Sequence, residues 1–405
     1  MYWDKNKFNL FFQKRDETKI KREGEKVQVP LSSPDIIEKD IKAVLGVMKT
    51  RFLSIGPKIK NFEKKISEYT GVKHAVAMNS GTSALHLIIR GLGIGEGDKV
   101  LTTPFSFISS SNCILFEKAE PLFVDIDELT LNLDPNKVKE KLEKMSQEEL
   151  SKVKALIIVD AFGQPADWDR FIKIGQKYNI KLIEDSAEAL GSKYKGVKCG
   201  SFGEAGVFAF YPNKQITTGE GGVLITDNEE LAKLARSMRS QGRGESGEWL
   251  DHERLGYNFR MDELSAALGC SQMERIEEIL RKREKVAEMY NQKLAEIEEV
   301  QIPHVSPDTT KMSWFVYVIR LEKRVSRDQV IQYLNQEDIQ CKPYFTPIHL
   351  QPFYKDMFGF KEGDFSITED VSSRTIALPF FNNLKEDQID YVVEKLKEGI
   401  GRNSR

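Results

Sequence analysis

Lys214 lies between two apolar segments, which is an unusual position for a solvated charge. It belongs to the stretch Pro212–Gly222, rich in threonine and glycine, which joins the apolar segments Gly206–Tyr211 and Val223–Thr226. A partly desolvated amine loses its proton more easily and can attack an aldehyde. The alternative interpretation is a solvated loop lysine, because most lysines are exposed.

Asp185 ends a second apolar segment, Leu182-Ile183-Glu184-Asp185. A carboxylate at the end of a buried strand needs a partner, since burying the charge alone is costly. A protonated pyridine nitrogen would serve, and the carboxylate would keep that ring cationic and therefore a stronger electron sink. The alternative is that Asp185 only caps a turn.

The stretch Asn79-Ser80-Gly81-Thr82-Ser83 lies between an apolar strand and a helix. The start of a helix offers unpaired N–H groups and the positive end of a dipole, and both suit a phosphate. Gly81 would let the backbone approach the anion, and Thr82 adds a hydroxyl. The alternative is an ordinary helix cap, for which serine and threonine are common.

Seven short apolar segments, most of them separated by helical patterns, predict an α/β fold with a mostly parallel seven-stranded sheet covered by helices on both faces. The connection between the last two is too short for a parallel crossover, so this pair is predicted to be antiparallel. Lys214, Asp185 and the stretch with Gly81 and Thr82 each follow the end of a predicted strand. Active sites of open α/β sheets lie at the edge that these strand ends form. The segments are Ala75–Met78, Val100–Thr103, Pro121–Asp125, Val153–Asp160, Lys181–Asp185, Gly206–Tyr211 and Val223–Thr226.

Three units are predicted along the chain. Residues 1–28 form an N-terminal extension, either a solvated arm or an aromatic strap on a partner subunit. Residues 29–275 form the large domain and residues 276–405 a smaller α+β domain, reached through a periodic helical stretch from Asp262 to Ile297. The small domain is predicted to contain the strands Trp314–Leu321 and Gln340–Phe345 and the helices Arg327–Asn335 and Glu386–Ile400.

Composition narrows the class of protein. The chain has 405 residues, 40% of them hydrophobic, and a net charge of -2, which gives no electrostatic case for binding nucleic acid or an anionic membrane. The four cysteines form no CxxC pair and the five histidines show no metal spacing, so no metal site is predicted. Unpaired cysteines and the lack of an unbroken apolar N-terminal segment predict a cytoplasmic protein.

Several motifs, in order from about Val29 to Ile400, resemble the DegT-type nucleotide-sugar aminotransferases. The resemblance implies a fold type I enzyme that uses pyridoxal phosphate to aminate a keto sugar carried on a nucleotide. It also implies an amino acid donor, expected to be L-glutamate, and an amino sugar product for a cell-surface polysaccharide or related glycan. The motifs include Ser80–His86, Glu184–Gly191, Gly206–Gly222 and Leu255–Gly269.

The resemblance also implies roles for individual residues. Lys214 would hold the cofactor as a Schiff base and carry protons, and Asp185 would pair with the pyridine nitrogen. Gly81 and Thr82 would hold the phosphate, and the ring of Phe107 would stack on the cofactor.

Three further positions follow from the same resemblance. Asn258 would reach the phosphate of the neighbouring subunit, which implies a homodimer with shared active sites. Glu188 stands near the cofactor's ring oxygen, where the family often has glutamine, and could change how a proton is shared there. Ala209 stands where the family often has a serine that contacts the phosphate, so backbone amides and Asn258 would matter more.

The family pattern favours a 4-keto sugar, because Glu220 gives the sequence Gly-Glu-Gly-Gly, whereas aspartate at this position tends to accompany 3-keto sugars. The alternatives are a 3-keto sugar or keto-inositol aminotransferase, a sugar dehydratase, and a non-catalytic regulatory protein of the same fold. The dehydratases lack the lysine, so Lys214 speaks against that alternative.

Overall fold

The computed structural model describes residues 28–244 and 251–403. Residues 1–27 of the predicted N-terminal extension lie outside the described residues, so both interpretations of that segment stay predictions. Within the described ranges, no helix is long and apolar enough to cross a membrane.

A seven-stranded sheet forms the centre of the larger part of the chain, as predicted. Its order is β1-β9-β8-β5-β4-β2-β3, and every pairing is parallel except the two that involve β9. The predicted antiparallel pair is therefore confirmed, and β9 is also antiparallel to β1. The strands are β1 (His74–Met78), β2 (Lys99–Thr102), β3 (Glu120–Phe123), β4 (Val153–Val159), β5 (Lys181–Asp185), β8 (Ala205–Ala209) and β9 (Gly222–Thr226).

Helices cover both faces of the sheet. They are α1 (Glu38–Met48), α2 (Pro57–Thr70), α3 (Gly81–Gly91), α4 (Ser109–Phe116), α5 (Pro135–Glu143), α6 (Gln147–Lys152), α7 (Trp168–Tyr178), α8 (Glu229–Met238) and α9 (Glu263–Met273). Strand β1 shows the two faces, because successive side chains of a strand point to opposite sides. Val76 and Met78 pack in the core that includes α3, whereas Ala75 and Ala77 pack in the core that includes α2 and α9.

The helical stretch predicted from Asp262 to Ile297 is two helices, so that prediction was wrong in one respect. Helix α9 ends at Met273, and α10 (Ile276–Leu294) begins after Arg275, whose backbone is not helical. The buried guanidinium of Arg275 contacts the carboxylates of Asp35 and Asp40 at 3.2 and 3.0 Å. These contacts with the N-terminal part of the chain hold the junction between the two helices.

The C-terminal part is built on a three-stranded sheet of order β10-β12-β13. It is an α+β unit, which is the fold class that the sequence predicted. The second predicted strand, Gln340–Phe345, was wrong, since only an isolated bridge joins Lys342 to Ala377 there. The first is shorter than predicted, because Trp314 has a left-handed φ of 53°. The elements are β10 (Val300–Gln301), β12 (Tyr317–Leu321), α11 (Arg327–Gln336), α12 (Pro352–Phe358), α13 (Ser366–Arg374), β13 (Thr375–Leu378) and α14 (Glu386–Asn403).

Helix α10 connects the two parts. Its first turns pack in the core beneath the large sheet, and its last turns pack in the core of the C-terminal unit. The domain boundary between residues 275 and 276 stays a prediction. A small third sheet joins β6 (Lys193–Tyr194), β7 (Val197–Lys198) and β11 (Thr309–Lys311).

Candidate active site

A cavity of about 560 Å³ opens at the carboxyl edge of the large sheet. This volume lies within the usual range for a small-molecule or cofactor site. Six of the seven predicted site residues line it, namely Gly81, Thr82, Phe107, Asp185, Glu188 and Lys214. The seventh, Asn258, is exposed and lies outside the cavity of its own chain.

Lys214 lies in the connection between β8 and β9, and its side chain points into the cavity. The side chain is only 12% exposed, so the alternative of a solvated loop lysine is wrong. Its Nζ lies 3.4 Å from Oε1 of Glu188 and 3.8 Å from the ring centroid of Phe315. The connection itself is compact, since the amide of Lys214 donates to the carbonyl of Tyr211 at 2.9 Å.

Asp185 ends β5 at the base of the cavity. Its Oδ2 accepts a hydrogen bond from the hydroxyl of Ser110 at 2.7 Å, and its Oδ1 accepts one from the amide of Ala187 at 3.2 Å. Burial raises the pKa of Asp185, while these two bonds and the charge of Lys214 act in the opposite direction. A cation in contact with this carboxylate would stabilise the charged form that burial disfavours.

The start of α3 forms one wall of the cavity. Ser80 caps the helix, because its Oγ accepts from the amide of Ser83 at 3.1 Å. The hydroxyl of Thr82 lies 2.7 Å from that of Ser109, and both residues line the cavity. A Cβ at Gly81 would lie 2.9 Å from the Cβ of Ala209, and glycine is therefore required for α3 to approach β8.

Glu188 contributes a second buried carboxylate, and only 5% of this residue is exposed. Its Oε2 accepts from the amide of Phe162 at 2.9 Å, which leaves Oε1 facing Lys214. Burial raises the pKa of Glu188, and the charge of Lys214 opposes that effect. Phe107 stands at the rim of the cavity and is 63% exposed.

Several residues that the sequence did not single out also line the cavity, among them Ser110, Phe315 and Tyr344. Ser110 follows Phe107 by three residues at the start of α4, and that spacing is the only local signal for it. Phe315 and Tyr344 come from the C-terminal unit and reach the cavity through long-range packing. Burial and the nearby carboxylate of Glu188 raise the pKa of Tyr344 to about 12, so its phenol is neutral.

A pair of fully buried acids, Asp160 and Glu184, lies next to the cavity floor. The Oγ of Ser186 lies 2.7 Å from Oδ2 of Asp160 and 2.8 Å from Oε1 of Glu184. A hydroxyl has one hydrogen and can donate to only one of them, so the other contact requires a proton on a carboxyl group. Burial raises the pKa of both acids, which agrees with one shared proton.

The thiol of Cys199 lies close to this acid pair, and the three ligand atoms are within 4.8 Å of one another. Each of the four carboxylate oxygens already has a hydrogen-bond donor. The arrangement is therefore that of a hydrogen-bonded acid pair. The donors are the amides of Ala166, Gly200 and Phe202, the indole of Trp168 and the hydroxyl of Ser186.

The sequence model of the DegT/DnrJ/EryC1/StrS aminotransferase family matches residues 34–397. The chain belongs to this family. A GDP-perosamine synthase from Caulobacter vibrioides is 36% identical over 375 residues, which cover 92% of this chain and 98% of that protein. A UDP-4-amino-4,6-dideoxy-N-acetyl-beta-L-altrosamine transaminase from Campylobacter jejuni is 33% identical over 381 residues, which cover 92% and 99%.

The PLP form of Spr1654 from Streptococcus pneumoniae has a similar solved structure, with a TM-score of 0.86 at 28% identity over 93% of this chain and 99% of that one. The DegT-family chain is thus a pyridoxal-phosphate-dependent aminotransferase, as predicted. Its cavity fits the cofactor, because it combines a buried amine, a carboxylate and a hydroxyl-rich helix start. The alternative of a non-catalytic protein is thereby set aside.

Proposed function

We propose that this enzyme transfers an amino group from an amino acid, expected to be L-glutamate, to a 4-keto sugar carried on a nucleotide. The observation that carries the proposal is the convergence of Lys214 and Asp185 on one cavity at the carboxyl edge of the sheet. The two relatives are named for amino sugars on GDP and on UDP, and one name specifies a 4-amino group. These names support the sugar class and leave the base open.

The cofactor, when bound, supplies an aldehyde that takes up an amine and a ring that withdraws electrons from the reacting carbon. Lys214 is proposed to join that aldehyde and, once displaced by substrate, to move a proton to and from the reacting carbon through its Nζ. Asp185 is proposed to hold the ring nitrogen in its protonated form. Both roles suit side chains that are largely shielded from water.

The remaining predicted residues are proposed to bind the cofactor. The start of α3, with Gly81 and Thr82, would hold the phosphate, because helix N-termini favour anions. The ring of Phe107 at the rim would cover the cofactor. Glu188 would lie beside the ring oxygen.

A homodimer with shared sites is also proposed. Asn258 is exposed and outside its own cavity, so it is free to reach a neighbouring one. Large apolar side chains are exposed along α1 and the following loop, which is typical of a surface covered by a partner. A monomeric mass in solution would contradict this proposal. The exposed apolar residues are Leu45, Met48, Phe52, Leu53 and Ile55.

A cytoplasmic location belongs to the same proposal. All four cysteines are free and buried, which suits a reducing compartment. Nucleotide-linked sugars as substrates would fit that location.

The function is tested by incubating the enzyme with ¹⁵N-glutamate and a panel of nucleotide-linked 3-keto and 4-keto sugars and a keto-inositol. We expect the ¹⁵N label to appear on carbon 4 of a sugar nucleotide, as seen by mass spectrometry and NMR. Label on carbon 3 or on the inositol would support the corresponding alternative. Loss of oxygen without label would indicate a dehydratase.

Changing Glu188 to glutamine is expected to remove a titration from the bound cofactor. Because burial raises the pKa of Glu188, its carboxyl exchanges a proton above the usual range of glutamate, about 4.3. Glutamine has a similar size and cannot ionise, so the absorbance of the cofactor should change less with pH on the acidic side. The measurement is a set of spectra across about pH 5 to 9 for both proteins, and identical titration curves would contradict the role of Glu188.

A further inference from the structure

Arg283, on helix α10, is buried and only 3% exposed. Its guanidinium donates hydrogen bonds to three neutral oxygens. Nε donates to the carbonyl of Trp314 at 2.6 Å, Nη2 to the carbonyl of Phe315 at 2.6 Å, and Nη1 to Oδ1 of Asn382 at 2.8 Å. A buried guanidinium held mainly by backbone carbonyls fixes the path of that backbone, because its planar donors impose directions.

The backbone that Arg283 holds is the turn 313–315, whose last residue, Phe315, lines the active-site cavity. The turn is also held at Phe315, whose amide donates to the carbonyl of Phe162 at 3.1 Å. It is held at Ser313, whose amide donates to the hydroxyl of Ser192 at 2.9 Å and whose hydroxyl accepts from the side chain of Gln215 at 2.8 Å. Gln215 directly follows Lys214 in the chain. The turn is therefore tied to the segment that carries the reactive amine.

The consequence lies at the ring of Phe315, whose centroid is 3.8 Å from Nζ of Lys214. An ammonium group over an aromatic face is attracted by the ring and loses contact with water on that side. The ring thus fixes where the amine points and limits access to it. A small shift of the turn would move the ring away and open that side of Nζ to water.

We infer that Arg283 is a positioning residue, which anchors the turn 313–315 so that the Phe315 ring covers the amine of Lys214. The inference deepens the proposed function, because it adds a residue outside the cavity that sets the geometry of the reactive amine. Arg283 acts entirely through Phe315 and touches neither cofactor nor substrate.

The test uses the cofactor-free protein, so that it is independent of the proposed function. Trace acetylation of Lys214 is followed by peptide mass spectrometry, with the exposed Lys355 of the same chain as internal reference. We expect Arg283→Met and Phe315→Leu each to raise the relative labelling rate of Lys214 by about fivefold, the range of a lost cation–ring contact. The double variant should label no faster than Phe315→Leu alone, because both changes remove the same contact.

Arg320→Met is the matched control, because Arg320 is also a buried arginine of the C-terminal unit but lies outside the cavity lining. It should lower the thermal stability without raising the labelling of Lys214. Arg283→Lys should restore part of the protection. An unchanged labelling rate in either Arg283→Met or Phe315→Leu, or an equal rise in Arg320→Met, would overturn the inference. If Arg283→Met does not fold, Arg283→Lys and Phe315→Leu still decide it.

Discussion

Replacing Lys214 by alanine is expected to lower the rate of amino-group transfer by about 10⁴-fold, the upper end of what a positioned proton carrier contributes. The variant loses both the amine that is proposed to join the cofactor aldehyde and the group that is proposed to move the proton. Little else should change, because the side chain of Lys214 makes one ion pair, with Glu188 at 3.4 Å, and one ring contact, with Phe315. Its fold and thermal stability should therefore be close to those of the wild type.

The measurement for Lys214 is single-turnover transfer, together with mass analysis after borohydride reduction. The wild type should retain the cofactor on the peptide that contains residue 214, and the variant should not. Lys355→Ala, a change on helix α12 away from the cavity, is the matched control and should behave as the wild type. A small amine added to Lys214→Ala should recover part of the rate. Full activity of the variant would refute the proposed chemistry.

Changing Asp185 to asparagine is expected to lower kcat by about 10²–10³-fold, as for the loss of one preorganised electrostatic group. Under the proposed role of Asp185, the neutral amide would not keep the ring nitrogen protonated, and the ring would withdraw electrons less strongly. The amide can still accept from Ala187 and bond to Ser110, so the local structure should persist. The expected result is thus a slow enzyme that remains folded.

The measurement for Asp185 is kcat together with the absorbance of the bound cofactor, which should shift in the variant. Asp125→Asn is the control, because Asp125 is also a carboxylate at the carboxyl edge of the sheet but binds the Thr368 hydroxyl and lies outside the cavity lining. Hydrogen bonds lower the pKa of Asp125, so its loss should reduce stability and leave the spectrum unchanged. Equal spectra for the Asp185 variant and the wild type would exclude a bond to the ring nitrogen.

The large sheet and much of the site could be predicted from the sequence, because both depend on local patterns. Apolar segments fix where the parallel strands end, and residues at those ends converge at one edge. Lys214, Asp185 and Thr82 could therefore be assigned to one cavity before the fold was known. The short connection around Lys214 was enough to predict the antiparallel pair.

What could not be predicted depends on contacts between distant parts of the chain. Phe315 and Tyr344 reach the cavity from another unit, and no local pattern reports that. The break between α9 and α10 at Arg275 depends on its contacts with Asp35 and Asp40, more than 200 residues earlier in the sequence. Helical periodicity continues on both sides of the break, so the sequence pattern did not show it.

The acid pair Asp160 and Glu184 has a consequence for how the protein responds to alkali. In the unfolded chain, aspartate and glutamate release their protons near pH 4, at about 3.9 and 4.3. The native pair holds a proton above that pH, since burial raises the pKa of both acids. Folding at a pH between the unfolded and the native pKa values therefore takes up hydrogen ions from the buffer. The stability from this pair is complete in acid and is lost as the pH rises through the native pKa. A proton bound by Asp160 and Glu184 is thus part of the native structure.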